Sequence, residues 1–238
     1  MLIEGRNAIK EALNSETTIE KILIAKGSDD NSLKMIVAIA KKKGVRVDFA
    51  ERKVLDRLSE TGKHQGVIGY TTEFKYCDLD DILAESKEPK LILLLDGIED
   101  PHNLGSIIRV AECHGADGVV IPKMRSASVN ETVIRASAGA TNHVKVAKVT
   151  NLNDAIRRLK DEFIKVVALD MQGVKISDSR LDGDLAIVVG SEGKGVSALT
   201  EKLCDEVISI PMFGQVSSLN ASVAAGIALY ECLRQRTK

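Results

Sequence analysis

Two runs of five consecutive apolar residues, LILLL at 91–95 and LAIVV at 185–189, constrain this chain more than any other feature. A strand with one wetted face alternates apolar and polar side chains. A strand covered on both faces reads as an unbroken apolar run, and such strands belong to parallel sheets flanked by helices. Each run stops at a turn: Asp96-Gly97 follows the first, and GSEGKG at 190–195 follows the second. Short strands and helical spacings alternate through the rest of the chain, which therefore reads as α/β.

The spacing predicts a first unit over 1–72. A helix is expected at 5–14, with Ala8, Ile9, Ala12 and Leu13 on one face, then a strand at 19–25. Leu33, Ile36, Val37 and Ala40 fall at i, i+3, i+4 and i+7, a half-buried helix that Gly44 stops after three lysines. A strand at 45–49, a short helix marked by Val54, Leu55 and Leu58, and a strand at 66–70 complete the unit. His64 stands before that strand, where it can cap a turn. The acidic, polar stretch 73–89 is expected to be a linker, and 90–238 a second domain.

In the second domain Asn103 is expected to cap a helix carrying Ile107, Ile108, Val110 and Ala111. Arg109 lies within that apolar pattern and has to pair or reach solvent; Glu99 and Glu112 are the local candidates. Further elements are expected as a strand at 118–121, a helix at 126–139, a strand at 144–149, a helix at 152–163 and a strand at 166–170. A last strand, 207–210, is cut by Pro211, which has no N–H to donate. Ser217 or Ser218 is expected to cap a final helix rich in small residues (Ala221, Ser222, Ala224, Ala225, Gly226, Ala228), with Asn220 in its first turn. A helix start of this kind can hold a polar ligand, and it is also what an ordinary capped core helix looks like.

The loop 190–195 fails as a phosphate loop, because Gly195 follows the Gly-Lys where a Ser or Thr belongs. Gly193, Gly195 and Ala198 meet a relaxed dinucleotide pattern, but Phe213, Gly214 and Gln215 occupy the place of a ribose-binding acid about 20 residues on. A nicotinamide oxidoreductase is thus a minor alternative. No metalloprotease, paired-carboxylate or nucleophile-elbow pattern occurs. The four cysteines are scattered with no CxxC, which argues against structural zinc and against a disulfide framework and makes a reducing cytosol the expected location. No apolar run is long enough to span a membrane, and the first residues do not read as a signal peptide. With a net charge of −1 and 3% aromatic residues, neither a uniformly basic surface nor an aromatic platform is the expected way to hold RNA.

Three segments, DGIEDPHNLGSIIRVAECHGADGVVIP (96–122), LAIVVGSEGKGVS (185–197) and ISIPMFGQVSSLNASVAAGIALYE (208–231), resemble in order and spacing the three motifs of the SpoU/TrmH methyltransferases. The resemblance implies a SPOUT-class domain: a parallel sheet flanked by helices, with a deep trefoil knot made by the C-terminal segment. It also implies a homodimer that uses S-adenosylmethionine, without a metal, to methylate a ribose 2′-hydroxyl of RNA. The GRNAIKEAL start and the HQGV segment are similar to the RlmB-type branch. Its small N-terminal α/β domain resembles RNA-binding ribosomal proteins, and its target is a guanosine of large-subunit (23S) rRNA. A tRNA target and a non-catalytic RNA-binding factor are the alternatives. By this resemblance Asn103, Arg109, Glu192 and Asn220 are catalytic. Gly190, Ile210, Met212, Ser218 and Leu219 hold the cofactor, and Glu192 is expected to orient Arg109. Arg6, Lys63, Arg125 and Arg135 are candidates for RNA phosphates.

Overall fold

In the computed structural model, which describes residues 2–14, 18–27, 30–72, 74–215 and 218–237, the chain divides into two compact units, Met1–Lys75 and Tyr76–Lys238.

The first unit is built on a four-stranded sheet in the order β1-β4-β2-β3. Its strands are β1 (Leu2–Glu4), β2 (Thr18–Ala25), β3 (Arg46–Ala50) and β4 (Val67–Thr72). β2 runs parallel to β3, and β4 runs antiparallel to both β1 and β2. The alternation along the strands assigns two faces. Ile22, Ile24 and Val67 point to α1 (Arg6–Asn14) and α2 (Asn31–Lys42), where they join Ile9, Leu13, Leu33 and Ile36. Ala25 and Ile68 point to the opposite face and meet Leu55 of α3 (Arg52–Leu58). β1 is an addition to the expected pattern; three residues are too few for a period to show. His64 is buried. Its Nδ1 accepts from the Gly66 N–H at 3.1 Å and its Nε2 lies 2.8 Å from Asp56 Oδ1, so it pins the turn that leads into β4.

The second unit begins with α4 (Leu79–Glu85), whose Leu79 and Ile82 are buried in the core of this unit. Its sheet has six strands, all parallel, in the order β10-β8-β9-β5-β6-β7. They are β5 (Leu91–Asp96), β6 (Gly118–Pro122), β7 (Lys145–Val149), β8 (Lys165–Lys175), β9 (Leu185–Gly190) and β10 (Glu206–Ser209). The two apolar runs are neighbours at the centre, paired from Leu91↔Leu185 to Asp96↔Gly190. Full burial of each large apolar side chain there contributes about 1.5–3 kcal/mol, an upper estimate. α4 and α7 (Leu152–Asp161) cover one face. α5 (Pro101–Cys113) and α9 (Ala221–Arg236) pack on each other, on β6 and on β9. At the foot of the sheet Arg236, the last residue of α9, donates to the carbonyls of Pro89 (2.9 Å), Lys90 (2.7 Å) and Gly183 (2.7 Å).

Several expectations are corrected. α5 is capped by Asp100, whose carboxylate accepts from the His102 N–H at 3.0 Å. Pro101 at the first helical position favours that earlier start, and Asn103 lies inside the first turn. The helix expected at 126–139 is only α6 (Glu131–Ala136). Asn130 caps it, and Ala138 and Gly139 take left-handed backbone at φ 51° and 92°, which ends it. β8 continues past Asp170, but residues 169–173 swing out between consecutive partners of β10, because Val207 pairs with Ala168 and Ile208 with Val174. The cap of α9 is Asn220, not a serine; Ser217 lies outside the described residues.

Candidate active site

A cleft of about 300 Å³ opens at the carboxyl ends of β9 and β10 and beside residues 169–171 of β8. In open α/β sheets this is where ligands sit. Three loops build it. The first is 190–197, a tight turn held by the Gly195 N–H to the Ser191 carbonyl at 3.0 Å and by the Ser197 N–H to Asp96 Oδ2 at 2.9 Å. A Cβ on Gly190 would stand 2.0 Å from the Gly195 carbonyl carbon, so only glycine lets the loop fold back on its strand. The second is the 169–173 excursion of β8. The third joins β10 to α9.

All five cofactor candidates, Gly190, Ile210, Met212, Ser218 and Leu219, line this cleft. Its walls are apolar at Leu169, Val189, Ile210, Leu219, Ala221 and Ala224, and polar at Asp170, Ser218, Glu192 and Lys194. The shape suits a ligand with a flat apolar part and a few polar groups. Asp170 was not among the expected site residues; the one signal for it is an acid at the end of the strand expected at 166–170.

Asn103, Glu192 and Asn220 meet beside the cleft. Asn220 Nδ2 donates to Asn103 Oδ1 at 2.9 Å and, through a short bond, to Glu192 Oε1. Asn103 Nδ2 donates to the same Glu192 oxygen at 3.1 Å. Asn220 Oδ1 faces the other way and accepts from Ser222 N (2.9 Å), Ser222 Oγ (2.6 Å) and Val223 N (3.4 Å). The cap thus fixes which end of the Asn220 amide faces Glu192. Both carboxamides direct N–H groups at one carboxylate, which satisfies it without a cation.

Arg109 is not part of this cluster. It is exposed on α5 and borders a separate hollow with Glu112, Cys113, Ala138, Asn142 and His143. Among the described residues it forms no ion pair with Glu99 or Glu112, and Glu192 pairs with the two carboxamides in its place. The guanidinium stays fully available because the outer face of α5 turns it to solvent.

Of the RNA-binding candidates, Arg6 is tied to Asp30 at 2.7 Å and to the Gln65 carbonyl at 3.1 Å. Lys63, Arg125 and Arg135 are exposed. Burial pushes the Cys204 and Cys232 thiols up to about 12, so neither is a thiolate nucleophile. Among the described residues no group of His, Cys, Asp and Glu could hold a metal ion, and no helix is long and apolar enough to cross a membrane.

Comparison with known proteins places this geometry. The SpoU rRNA Methylase family matches residues 90–230, and a family described as RNA 2′-O ribose methyltransferase substrate binding matches residues 2–77. A Bacillus subtilis (strain 168) protein assigned to the TrmH family of tRNA/rRNA methyltransferases is 42% identical over 237 residues, 98% of this chain and 94% of its own. The crystal structure of the SpoU methyltransferase AviRb from Streptomyces viridochromogenes, in complex with the cofactor AdoMet, is 26% identical. It has a TM-score of 0.65 and covers 100% of this chain and 90% of that one. The A. aeolicus TrmH/SpoU tRNA modifying enzyme is 31% identical with a TM-score of 0.58, over 67% of this chain and 81% of that one.

Proposed function

The chain belongs to the SpoU rRNA methylase family, and on that premise we propose that it methylates a ribose 2′-hydroxyl of RNA, that of a guanosine in large-subunit rRNA. That it is an RNA methyltransferase, and that its cofactor is S-adenosylmethionine, comes with the family. The cleft fits the cofactor: apolar walls receive the adenine, Gly190 lets the 190–197 loop fold back as one wall, and Ser218 and Asp170 offer polar groups. When bound, the cofactor supplies an electrophilic methyl group.

The observation that carries the reading is the convergence of Asn103, Glu192 and Asn220, from three distant segments, beside that cleft. Methyl transfer to a hydroxyl is an in-line displacement, and its rate depends on how well the hydroxyl is held. The cluster fixes the 190–197 loop to the start of α9, so the two walls of the cleft keep their spacing. Arg109, with no partner among the described residues, is the group free to grip an RNA phosphate as a two-pronged fork. A guanidinium is a poor base at neutral pH, so its role is to position the ribose.

Two further features accompany the reading. We take the C-terminal segment to thread through a loop as a trefoil knot, a feature that the family resemblance supports. We take the active form to be a homodimer. Val223, Ile227, Tyr230 and Leu233 form one exposed apolar stripe on α9, which a second copy would cover.

The test is methyl transfer from labelled S-adenosylmethionine to separate rRNA and tRNA pools. Label in large-subunit rRNA at an alkali-resistant linkage, lost in Arg109→Ala, is the expected result. Label confined to tRNA would favour the second reading, to which the A. aeolicus enzyme points. That enzyme's partial cover leaves part of this chain unmatched, and the separate unit Met1–Lys75 is the reason to favour rRNA.

A further inference from the structure

Asp170 is a carboxylate built into the cleft by a local departure from regular structure. Residues 169–173 leave β10 and return to it, so that Ala168 and Val174 pair with successive residues Val207 and Ile208. The excursion turns Asp170, the residue after the last β8 pair with β9 (Leu169↔Val189), into the cleft between Leu169 and the 190–197 loop. Gly195 makes room for it: a Cβ there would stand 2.6 Å from Asp170 Oδ2, and the Gly195 backbone is left-handed at φ +64°. The other contact on this carboxylate is a long one, from the Gln172 N–H at 3.4 Å to Oδ1. No lysine or arginine among the described residues forms an ion pair with it. Asp170 is half-buried and faces a cavity, with most of its hydrogen-bonding capacity unused.

We propose that the Asp170 carboxylate accepts hydrogen bonds from the ribose diol of S-adenosylmethionine and so selects an adenosyl cofactor with both hydroxyls. The inference rests on the cleft being the cofactor site. Two arguments choose the diol over the cationic end of the ligand. The methyl group has to lie toward Asn103, Glu192 and Asn220. Asp170 stands on β8, separated by β9 from β5, the strand that leads to Asn103; two strand spacings amount to about 9–10 Å. Asp170 is therefore placed for the nucleoside and away from the reacting sulfonium. A carboxylate with free lone pairs is also the side chain that can accept from two adjacent hydroxyls at once. An acid at a strand's carboxyl end serves the ribose in dinucleotide-binding sheets by the same chemistry.

The experiment is calorimetric binding of S-adenosylmethionine, S-adenosylhomocysteine and the 2′-deoxy and 3′-deoxy forms of the latter. It uses the full chain as wild type, Asp170→Ala and Asp170→Asn, with the Tm of each. The wild type is expected to bind S-adenosylhomocysteine on the order of tenfold more tightly than either deoxy form. Asp170→Ala is expected to bind both parent ligands about tenfold more weakly and to lose the discrimination. The isosteric Asp170→Asn, which keeps one accepting oxygen and the packing, is expected to fall between and provides the comparison if the alanine variant folds poorly. Equal binding of the deoxy forms by the wild type, or discrimination retained in both variants, overturns the assignment. A loss confined to S-adenosylmethionine also overturns it, because the carboxylate would then be sensing the sulfonium charge. The readout needs no RNA, so an error in the RNA target leaves these ratios unchanged.

Discussion

Asn220 Nδ2 lies 2.9 Å from Asn103 Oδ1, a contact between side chains 117 residues apart in sequence. The amide of Asn220 cannot turn over. Its oxygen is held by the Ser222 and Val223 N–H groups at the start of α9, so its NH2 must face Asn103 and Glu192.

That orientation separates two roles in one residue. In Asn220→Asp the carboxylate caps the helix as well as Asn does, so the cap's contribution to stability is kept. Its second oxygen, however, would face Glu192 and Asn103 Oδ1 with no proton between them. Methyl transfer should fall about 100-fold, the scale of a misplaced reacting geometry. Asn220→Ala should in addition lose about 1 kcal/mol of stability with the cap. Thermal unfolding beside single-turnover methyl transfer distinguishes the two; equal activity in wild type and Asn220→Asp would refute the argument.

Gly190→Ala should fail for a steric reason that flexibility cannot relieve. The added carbon meets backbone of Gly195 and Val196 at 2.0–2.3 Å, and backbone cannot rotate away as a side chain can. A cost of about 1–3 kcal/mol is expected from overpacking, with loss of S-adenosylmethionine binding as the 190–197 loop is pushed off its strand. Calorimetry on the folded fraction reports the second effect apart from the first.

Arg109→Ala should leave the Tm unchanged, because an exposed side chain with no partner among the described residues is removed. RNA binding should weaken, and the slope of log affinity against log salt should become shallower by roughly 0.7–0.9, one phosphate contact. Arg109→Lys should restore the slope while recovering only part of the methyl transfer, since an ammonium cannot grip two oxygens in one plane. An unchanged salt slope in Arg109→Ala would remove the phosphate role.

The first unit carries its own pH signature. The Ser59 and Thr61 hydroxyls, aided by the N–H groups of Glu60 and Thr61, hold the Glu4 carboxyl down from 4.5 to about 2. A depressed acid stabilises the fold fully above its unfolded value and loses that contribution as pH falls through the folded one. The stability gap between wild type and Glu4→Gln should be constant above about pH 5 and shrink from there toward pH 2. Unfolding of the isolated signals of this unit across that range measures it; a gap independent of pH would show that the carboxylate charge is not what matters.

The runs at 91–95 and 185–189 showed a parallel sheet because full burial leaves a compositional mark, yet nothing in either run said that they pair with each other. Register is a long-range property. Asn103 was expected at the cap because it is a good capping residue, but Asp100 before Pro101 is a better one, and the competition is decided three residues earlier. The small-residue helix and the glycine loop were visible as places where backbones come close. The partnership of Asn103 with Glu192 and Asn220 was not, since it joins three segments only after the sheet has ordered them. Asp170 escaped notice because its exposure to the cleft comes from the irregular course of 169–173, which has no periodic signature.

Arg236 joins parts of the second unit that lie far apart in sequence. Its guanidinium ties α9 to the carbonyls at the entry of β5, up to 147 residues earlier. β5 and β6 lie far before these residues in sequence, and the cleft lacks its wall at 218–224 until α9 has docked. Completion of the cleft therefore waits on contacts of large sequence separation, and the approach to the native state should be slow.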